Sequence, residues 1–179
     1  AGLGSVARVL VNEELGATDA AAALALDELG PALYPIIEMG GDVTRFAEQG
    51  GRVLLVTDLD GDVQIDRDRV SGTVPWVPAR QVDAVVVMAG DHAAVVREGF
   101  TIEPLRGAGL RAAGAGALRI VDAQAHTSLS NAVGASRARA RARLYVASLL
   151  LGVMRAACDF SREYAKERKA FGKPIAHHQ

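Results

Sequence analysis

The side chains best suited to hold a charged ligand lie near the C-terminus of the 179-residue chain. The Arg168 guanidinium is a planar fork of donors that matches the oxygens of a pyrophosphate. Phe171 follows three residues later, at the end of the same helical face. Gln179 carries an amide that can donate to and accept from a base or a ribose edge. The alternative is an ordinary helix end, with Gly172 as the cap, Phe171 packed locally and Arg168 solvated.

Other reactive residue types do not form a recognisable site. His177 and His178 are adjacent but have no carboxylate or thiol near them in sequence, so we predict no metal site. Cys158 is the single cysteine and stands among alanines in a helical segment, which is typical of an unreactive core residue. Residues 107–112 fit the loose dinucleotide pattern G-x-G-x-x-A, but a strand rather than a helix follows them, which argues against that function.

The charge balance excludes several classes of partner. Lys plus Arg number 20 and Asp plus Glu number 21, so the chain lacks the basic excess of a nucleic-acid-binding protein. Alternate arginines at 137, 139, 141 and 143 point ~200° apart on a helix, which is typical of a solvated helix start and not of a basic stripe. The longest apolar stretch, Leu144 to Met154, is too short to cross a bilayer. With no targeting segment visible, we expect a cytoplasmic protein that binds neither membrane nor nucleic acid.

Apolar periodicity divides the chain into three regions. Residues 1–50 are helical in pattern, residues 51–126 contain short β-rich runs, and residues 127–179 are helical again. Strand runs without helices between them indicate an antiparallel sheet or a small barrel. The sequence therefore predicts an α+β fold, with a helical segment, a small antiparallel β domain and then one long helix.

The first region carries helix-end signals. Glycine suits the position after a helix end, so Glu13-Glu14-Leu15-Gly16 should close one helix. Thr18 can cap the next helix, with Asp19 in its first turn. Gly30-Pro31 interrupts the Ala- and Leu-rich run that follows, and Gly40-Gly41 ends the region.

The middle region contains a set of short strands. They are predicted at Arg52–Leu59, Val63–Ile65, Val70–Val77, Val82–Ala89, Phe100–Leu105 and Ala117–Ala125. Asp60-Gly61 favours a two-residue hairpin between the first two runs. Pro75 indicates that the third run is an edge strand or a bulged one. The continuous apolar run Val82–Ala89 is typical of a strand buried on both faces.

The last region predicts a helix from about Asn131 to Ala170, roughly 60 Å long. One of its faces carries Tyr145, Leu149, Val153, Ala156, Phe160 and Tyr164. Leu144, Leu151 and Met154 make other faces apolar as well, which indicates a helix buried between layers. One chain of this size cannot cover such a helix, so we expect a shortened protein or half of an obligate assembly, and a dimer or tetramer built on this helix. Pro174 suits the first turn of a further helix.

These motifs, in this order, resemble the acyl-CoA dehydrogenase family of flavoproteins. The stretch Tyr164–Ile175 with Gln179 is similar to the family's Y-A-x-x-R-x-x-F-G-x-P-I-x-x-x-Q. Residues 13–19 resemble E-E-L-G-x-x-D, residues 72–83 resemble G-x-K-x-W-V-x-x-x-x-A-D, and residues 109–111 resemble the family's G-L-R turn. The resemblance implies that residues 1–50 end the N-terminal helical domain, residues 51–126 form the middle β domain, and residues 127–179 begin the C-terminal helical domain.

The resemblance implies FAD as the cofactor and an acyl-CoA as the substrate. In the family, the residues matched by Arg168, Phe171 and Gln179 contact the ADP part of an FAD held mainly by a neighbouring subunit. Trp76 matches an aromatic residue near the flavin ring, although a core Trp is the alternative. Arg143 matches an arginine near the acyl and catalytic end of the site.

Two departures from the family pattern affect the flavin and the catalytic base. The family's T-E-P and its following A-G-S-D loop are replaced by Val56–Leu59, which runs directly into Asp60-Gly61. The catalytic Glu of active members commonly lies beyond the position of Gln179, and its alternative location is held here by Ala142. No residue of this chain is therefore assigned as catalytic.

Two functions follow from the resemblance. The first is a flavin-dependent acyl-CoA dehydrogenase, as a fragment or shortened member, which would dehydrogenate an acyl-CoA thioester at its α and β carbons. The alternative is a non-catalytic subunit that completes the FAD site of an active homologue in a heteromer. The missing loop and Ala142 favour the second function, and in both cases we expect the chain alone to be inactive.

Overall fold

The computed structural model describes residues 4–107 and 109–178, so Gln179 lies outside the described residues. The chain divides into two compact units. The larger unit covers residues 21–145, and the smaller joins the chain up to Ala20 with the chain from Val146 onward. Helices, two sheets of mainly antiparallel strands and a long C-terminal helix confirm the predicted α+β class.

The elements follow the predicted order of helices, strands and helix. The helices are α1 (Ser5–Leu26), α2 (Leu33–Glu38), α3 (Val43–Glu48) and α4 (Ala132–Glu167). The strands are β1 (Val53–Thr57), β2 (Asp62–Asp66), β3 (Arg69–Val77), β4 (Ala84–Ala89), β5 (His92–Val96), β6 (Phe100–Pro104), β7 (Gly116–Gln124), β8 (Thr127–Ser130), β9 (Lys169–Ala170) and β10 (Lys173–Pro174). Short 3₁₀ helices cover Gly30–Ala32 and Ile175–His177.

One sheet of the larger unit has the order β1-β4-β5-β8. Strands β1 and β4 are parallel, with Val53 opposite Ala84, whereas the other two pairs are antiparallel. The predicted antiparallel arrangement is therefore wrong for this one pair, because the chain crosses to the other sheet between β1 and β4. Strands β5 and β8 are absent from the sequence-based prediction, since β5 is short and β8 alternates between half-buried and exposed residues.

The second sheet has the order β2-β3-β7-β6 and is antiparallel throughout. Because β1 and β2 belong to different sheets, Asp60-Gly61 forms a turn between sheets and not the predicted hairpin. Strand β3 lies inside the sheet, so the edge position predicted from Pro75 is wrong. The predicted bulge is confirmed by a register shift between Val74 and Val77, which accommodates a residue that cannot donate to the ladder.

Strand β4 is buried on both faces, as predicted. Val85 and Val87 belong to an apolar cluster that contains Leu118 of the second sheet. Val86 points the other way and belongs to a cluster with Phe46 of α3. Successive side chains of a strand alternate between faces, so β4 joins both clusters of the larger unit.

Glycines bring α1 and α4 together in the smaller unit. A Cβ at Gly16 would overlap the Leu149 carbonyl, and a Cβ at Gly152 would overlap the Glu13 carbonyl. Gly16 is therefore not the predicted helix end but a point of close helix packing. Helix α1 continues to Leu26 and departs from helical dihedral angles at Asp19, where φ is −160° and ψ is 99°.

Two further signals of α1 have structural roles. The Thr18 hydroxyl donates to the Glu14 carbonyl (3.0 Å), a bond back into the preceding turn and not the predicted cap. Arg155 of α4 pairs with Glu13 (Nε–Oε1 3.2 Å) and with Glu14 (Nη2–Oε1 2.8 Å). The hydrogen bond to Glu14 raises the pKa of Arg155. The two glutamates of the E-E-L-G motif thus tie α1 to α4.

Helix α4 is continuous over 36 residues. On its predicted apolar face Tyr145 and Leu149 are buried, whereas Phe160 is 73% exposed and Tyr164 50% exposed. By length and composition α4 could cross a membrane, which differs from the expectation drawn from its shorter apolar stretch. The core helix of a soluble protein passes the same test.

We predict that Gly152→Ala destabilises the protein by about 1–3 kcal/mol, because the added methyl group would push α1 away from α4. In an unobstructed helix the same change stabilises by up to about 1 kcal/mol, so the sign of the effect is diagnostic. Ala147→Gly, on the exposed surface of α4, is the matched control and should cost about 1 kcal/mol. Urea denaturation measures both, and a Gly152→Ala variant more stable than the wild type would contradict the close packing.

Candidate functional site

A tight hairpin follows the C-terminal end of α4. Strands β9 and β10 pair antiparallel, with Ala170 opposite Lys173. Between them Phe171 and Gly172 have φ values of 51° and 84°. Two successive positive φ values are typical of a type I′ turn. Gly172 is therefore the second turn residue and not the predicted helix cap, since α4 has already ended at Glu167.

The hairpin presents the Phe171 ring to solvent. The side chain is 98% exposed, and its ring meets His178 edge to face at a centroid distance of 6.0 Å. The His178 Nε2 donates to the Ala170 carbonyl (2.8 Å), which holds the imidazole against the hairpin. Phe171 does not pack locally as the helix-end alternative requires, so the aromatic surface is open to a ligand.

The Arg168 backbone is fixed while its side chain is exposed. Its N–H donates to the Tyr164 carbonyl (2.8 Å), and its own carbonyl accepts from the Ile175 N–H (2.9 Å). Within residues 4–107 and 109–178, no hydrogen bond or ion pair engages the Arg168 guanidinium. Five donors therefore face solvent three residues from the exposed Phe171 ring, a set that suits the phosphates and base of an ADP group.

The structure places Pro174 differently from the prediction. It adopts an extended conformation with ψ of 144° and precedes the 3₁₀ helix at Ile175–His177, which is not an α-helix. The Ile175 N–H is engaged by the Arg168 carbonyl, so the chain turns back on the end of α4 before it could begin another α-helix.

Trp76 lies at the bulge of β3 in the larger unit. Its side chain is 49% exposed, so the alternative of a core Trp is wrong. Arg52, which the sequence did not indicate, supports this segment because its Nη2 donates to the carbonyls of Pro78 and Ala113, each at 3.1 Å. A lone Arg before a strand carries no sequence signal for such a role.

The alternate arginines at the start of α4 differ in their surroundings. Arg139 pairs with Asp58 (3.4 Å) and donates to the Gly90 carbonyl (2.6 Å). Arg141 pairs with Glu38 (2.5 Å) and lies over an aromatic ring of α2. The predicted solvated helix start is therefore wrong for these two. Arg143 is exposed, which leaves its assignment to substrate as a prediction.

The connection between β1 and β2 is a short, closed turn. Asp60 accepts hydrogen bonds from the N–H and the hydroxyl of Thr57, at 2.7 and 2.9 Å. Asp58 accepts from the Gly90 N–H at 2.8 Å. These aspartates stabilise the turn and do not simply face solvent as expected. This connection holds no loop of the A-G-S-D kind.

The structure brings only some of the predicted site residues together. Arg168 and Phe171 share the hairpin of the smaller unit, whereas Trp76 and Arg143 belong to the larger unit. Among the described ranges 4–107 and 109–178, no three His, Cys, Asp or Glu side chains are grouped as metal ligands.

Comparison with known proteins identifies the class of fold. Residues 134–179 match the family model described as "Acyl-CoA dehydrogenase, C-terminal domain". No curated protein sequence matches the chain. The chain superposes on a glutaryl-CoA dehydrogenase solved with glutaryl-CoA, with a TM-score of 0.74 and 21% identity, covering 100% of this chain and 56% of that one.

Two further structures share the fold. A glutaryl-CoA dehydrogenase from Mycobacterium smegmatis in complex with FADH2 gives a TM-score of 0.71 at 20% identity, covering 99% of this chain and 55% of that one. PigA with FAD and proline gives 0.76 at 16% identity, covering 100% and 57%. The chain thus spans a little over half the length of these proteins.

The fold is that of the acyl-CoA dehydrogenases, and the resemblance predicted from the sequence is confirmed. The family model covers the end of α4 and the hairpin, which is the segment that carries the strongest sequence motif. At these identities, the superpositions establish the fold and leave the roles of individual residues to experiment.

We predict that Phe171→Asn keeps or strengthens the hairpin, because Asn followed by Gly is favoured in a type I′ turn. Gly172→Val should weaken the hairpin by about 1–2 kcal/mol, since a branched side chain is unfavourable at positive φ. Amide hydrogen exchange of Ile175, whose N–H closes the segment, reports the difference. Faster exchange in Phe171→Asn than in Gly172→Val would contradict the assigned turn.

Proposed function

We propose that the chain is a flavoprotein subunit of the acyl-CoA dehydrogenase type, acting on an acyl-CoA thioester. The observation that carries the proposal is the pairing, on one hairpin, of an unengaged Arg168 guanidinium with a fully exposed Phe171 ring. That hairpin lies within the segment matched by the family model.

The residues present fit the ADP part of FAD. Arg168 would bind the pyrophosphate through charge-assisted hydrogen bonds, and the Phe171 ring would pack against the adenine. Trp76 would lie near the flavin, and Gln179, at the end of the same segment, would contact a base or ribose edge. When bound, FAD supplies the hydride acceptor for α,β-dehydrogenation. Arg143 would lie toward the acyl end of the substrate.

We expect Arg168→Ala to weaken FAD binding about 10–150-fold, as loss of a charge-assisted hydrogen bond worth ~1.5–3 kcal/mol implies. The melting temperature should change little, because the side chain makes no contact that stabilises the fold. Flavin fluorescence titration measures the affinity, and gel filtration followed by absorbance measures the retained flavin.

Arg162→Ala is the matched control. It removes the same charge from the same end of α4, where Arg162 pairs only with neighbouring acids of its own helix. It should leave FAD binding within about twofold, since exposed ion pairs of this kind contribute little. Phe171→Asn tests the aromatic contact separately, because it preserves the turn. Equal loss of flavin in Arg168→Ala and Arg162→Ala would reject the assignment of Arg168.

A second candidate function is a non-catalytic subunit that completes the FAD site of an active homologue. Two features of the chain favour it. The closed turn between β1 and β2 leaves no extended loop at the position where the family pattern carries A-G-S-D. Ala142 stands at the alternative position of the base and cannot accept a proton.

We predict that the purified chain alone has no acyl-CoA dehydrogenase activity even when FAD is bound. Loss of a general base costs 10²–10⁴-fold, and the nearby acids are committed elsewhere. Asp58 and Asp60 stabilise a turn, and Glu163 pairs with Lys166 at 2.7 Å. That hydrogen bond lowers the pKa of Glu163, so it is a weaker base than a free glutamate.

An assay with short, medium and long acyl-CoA substrates and an artificial electron acceptor tests this prediction. Turnover at an ordinary enzyme rate, on the order of 1–10³ per second, would rule out the non-catalytic subunit and require an unassigned base. Ala142→Glu supplies a carboxylate at the alternative position. Activity gained by that variant alone would support a dehydrogenase site that lacks only its base.

A further inference from the structure

An unpartnered apolar seam runs along the C-terminal part of α4. We define the seam as Val146, Leu150, Val153, Ala157, Phe160 and Tyr164. These residues follow spacings of four and three in alternation, the period of 3.5 at which two helices pack side by side. All six are exposed, from 41% at Val153 to 73% at Phe160 among the larger side chains.

The seam is separate from the face of α4 that meets α1. That other face is built on Leu149, Gly152 and Arg155. The seam lies roughly 110° away around the helix, at 100° per residue. Phe160 and Tyr164 already stack on each other, with ring centroids 6.3 Å apart and planes 18° apart. A preformed aromatic surface loses little side-chain freedom on binding.

The charges on α4 argue against a lipid bilayer as the occupant. Arg155 lies at the midpoint of the seam and pairs with Glu13 and Glu14 of α1. Three charged groups at the centre of a bilayer are strongly unfavourable. The apolar length of α4 is therefore better explained by contact with another protein helix.

We propose that the seam of α4 packs against the seam of a second copy of this chain, with the two helices antiparallel. In this register Val146 faces Tyr164 of the second copy, Leu150 faces Phe160, and Val153 faces Ala157. Each aromatic ring therefore meets an aliphatic side chain, and the smallest residue lies beside the midpoint, where the helices come closest.

The charges beyond the two ends of the seam select the antiparallel direction. Continuing the same spacing places Arg143 before Val146 and Glu167 after Tyr164. Antiparallel helices set Arg143 of one copy opposite Glu167 of the other, at both ends. Parallel helices would set Arg143 against Arg143, Glu167 against Glu167 and Tyr164 against Tyr164, which is unfavourable in charge and crowded in volume.

Adjacent leucines provide a matched test of the seam. Leu150 belongs to it, whereas Leu151 points about 100° away and is exposed to a similar degree, 48% against 55%. We expect Leu150→Glu to raise the dimer dissociation constant roughly a hundredfold or more, because a carboxylate would be buried without a partner. Leu151→Glu should leave the dimer intact. Sedimentation equilibrium of the full chain measures both, and circular dichroism checks that each variant folds.

Disulfide trapping tests the direction. In a Cys158→Ser background, Val146→Cys and Tyr164→Cys are prepared as two separate proteins. In antiparallel helices two copies of position 146 are about 27 Å apart along the axis, too far for a disulfide. Mild oxidation should therefore crosslink a mixture of the two proteins and neither protein alone. Crosslinking of Val146→Cys with itself would establish the parallel arrangement and overturn the proposal.

Three other outcomes overturn the proposal. These are a wild-type chain that stays monomeric at about 100 µM, equal effects of Leu150→Glu and Leu151→Glu, and recovery of the chain with phosphatidylcholine vesicles in a flotation assay. The experiment reads mass and crosslinks without flavin, so its failure is distinguishable from failure of the proposed FAD site. Restored dimerisation in an Arg143→Glu, Glu167→Arg double variant, after loss in Glu167→Arg alone, would support the end-to-end charge pairing.

Discussion

The close approach of α1 and α4 at Gly16 and Gly152 is the contact on which the smaller unit depends. Few side chains are buried there, so the two helices rely on backbone proximity and on the ion pairs of Arg155 with Glu13 and Glu14. Backbones in contact leave the helix pair little freedom to slide, since each glycine lies against a specific peptide group. The end of α4 is fixed by this pairing, and the hairpin that carries Arg168 and Phe171 begins there.

The hairpin shows how a short segment can present a binding surface without a core of its own. Its backbone is held by the hydrogen bond from Ile175 to Arg168 and by the imidazole of His178. The two side chains proposed to meet the cofactor are not engaged in that scaffold. Binding groups that carry no structural duty can be altered without unfolding the protein, which is why flavin affinity and stability separate in this segment.

Much of the fold could be predicted because its signals are local. The uninterrupted helix-forming run gave α4, and the continuous valines gave β4, buried on both faces. The errors concern tertiary context. Asp60-Gly61 has the composition of a hairpin, but only the assembled sheets show that its flanking strands separate. Gly16 has the composition of a helix end, but the nearby α4 backbone explains it. Of the site, Arg168 and Phe171 could be proposed from spacing and resemblance, whereas Arg52 acts through carbonyls distant in sequence and leaves no pattern.

The parallel pairing of β1 with β4 has a consequence for the order of folding. Residues 53–57 find their partners only at residues 84–88, after the chain has formed the β2–β3 hairpin in the other sheet. Closing a loop of this length carries an entropic cost that the local hairpins avoid. We therefore expect β2–β3 and β4–β5 to form early and β1 to dock last on an assembled edge. Until then, its apolar face is exposed in the nascent chain, where a holdase chaperone that binds extended valine- and leucine-rich segments would find its most accessible target.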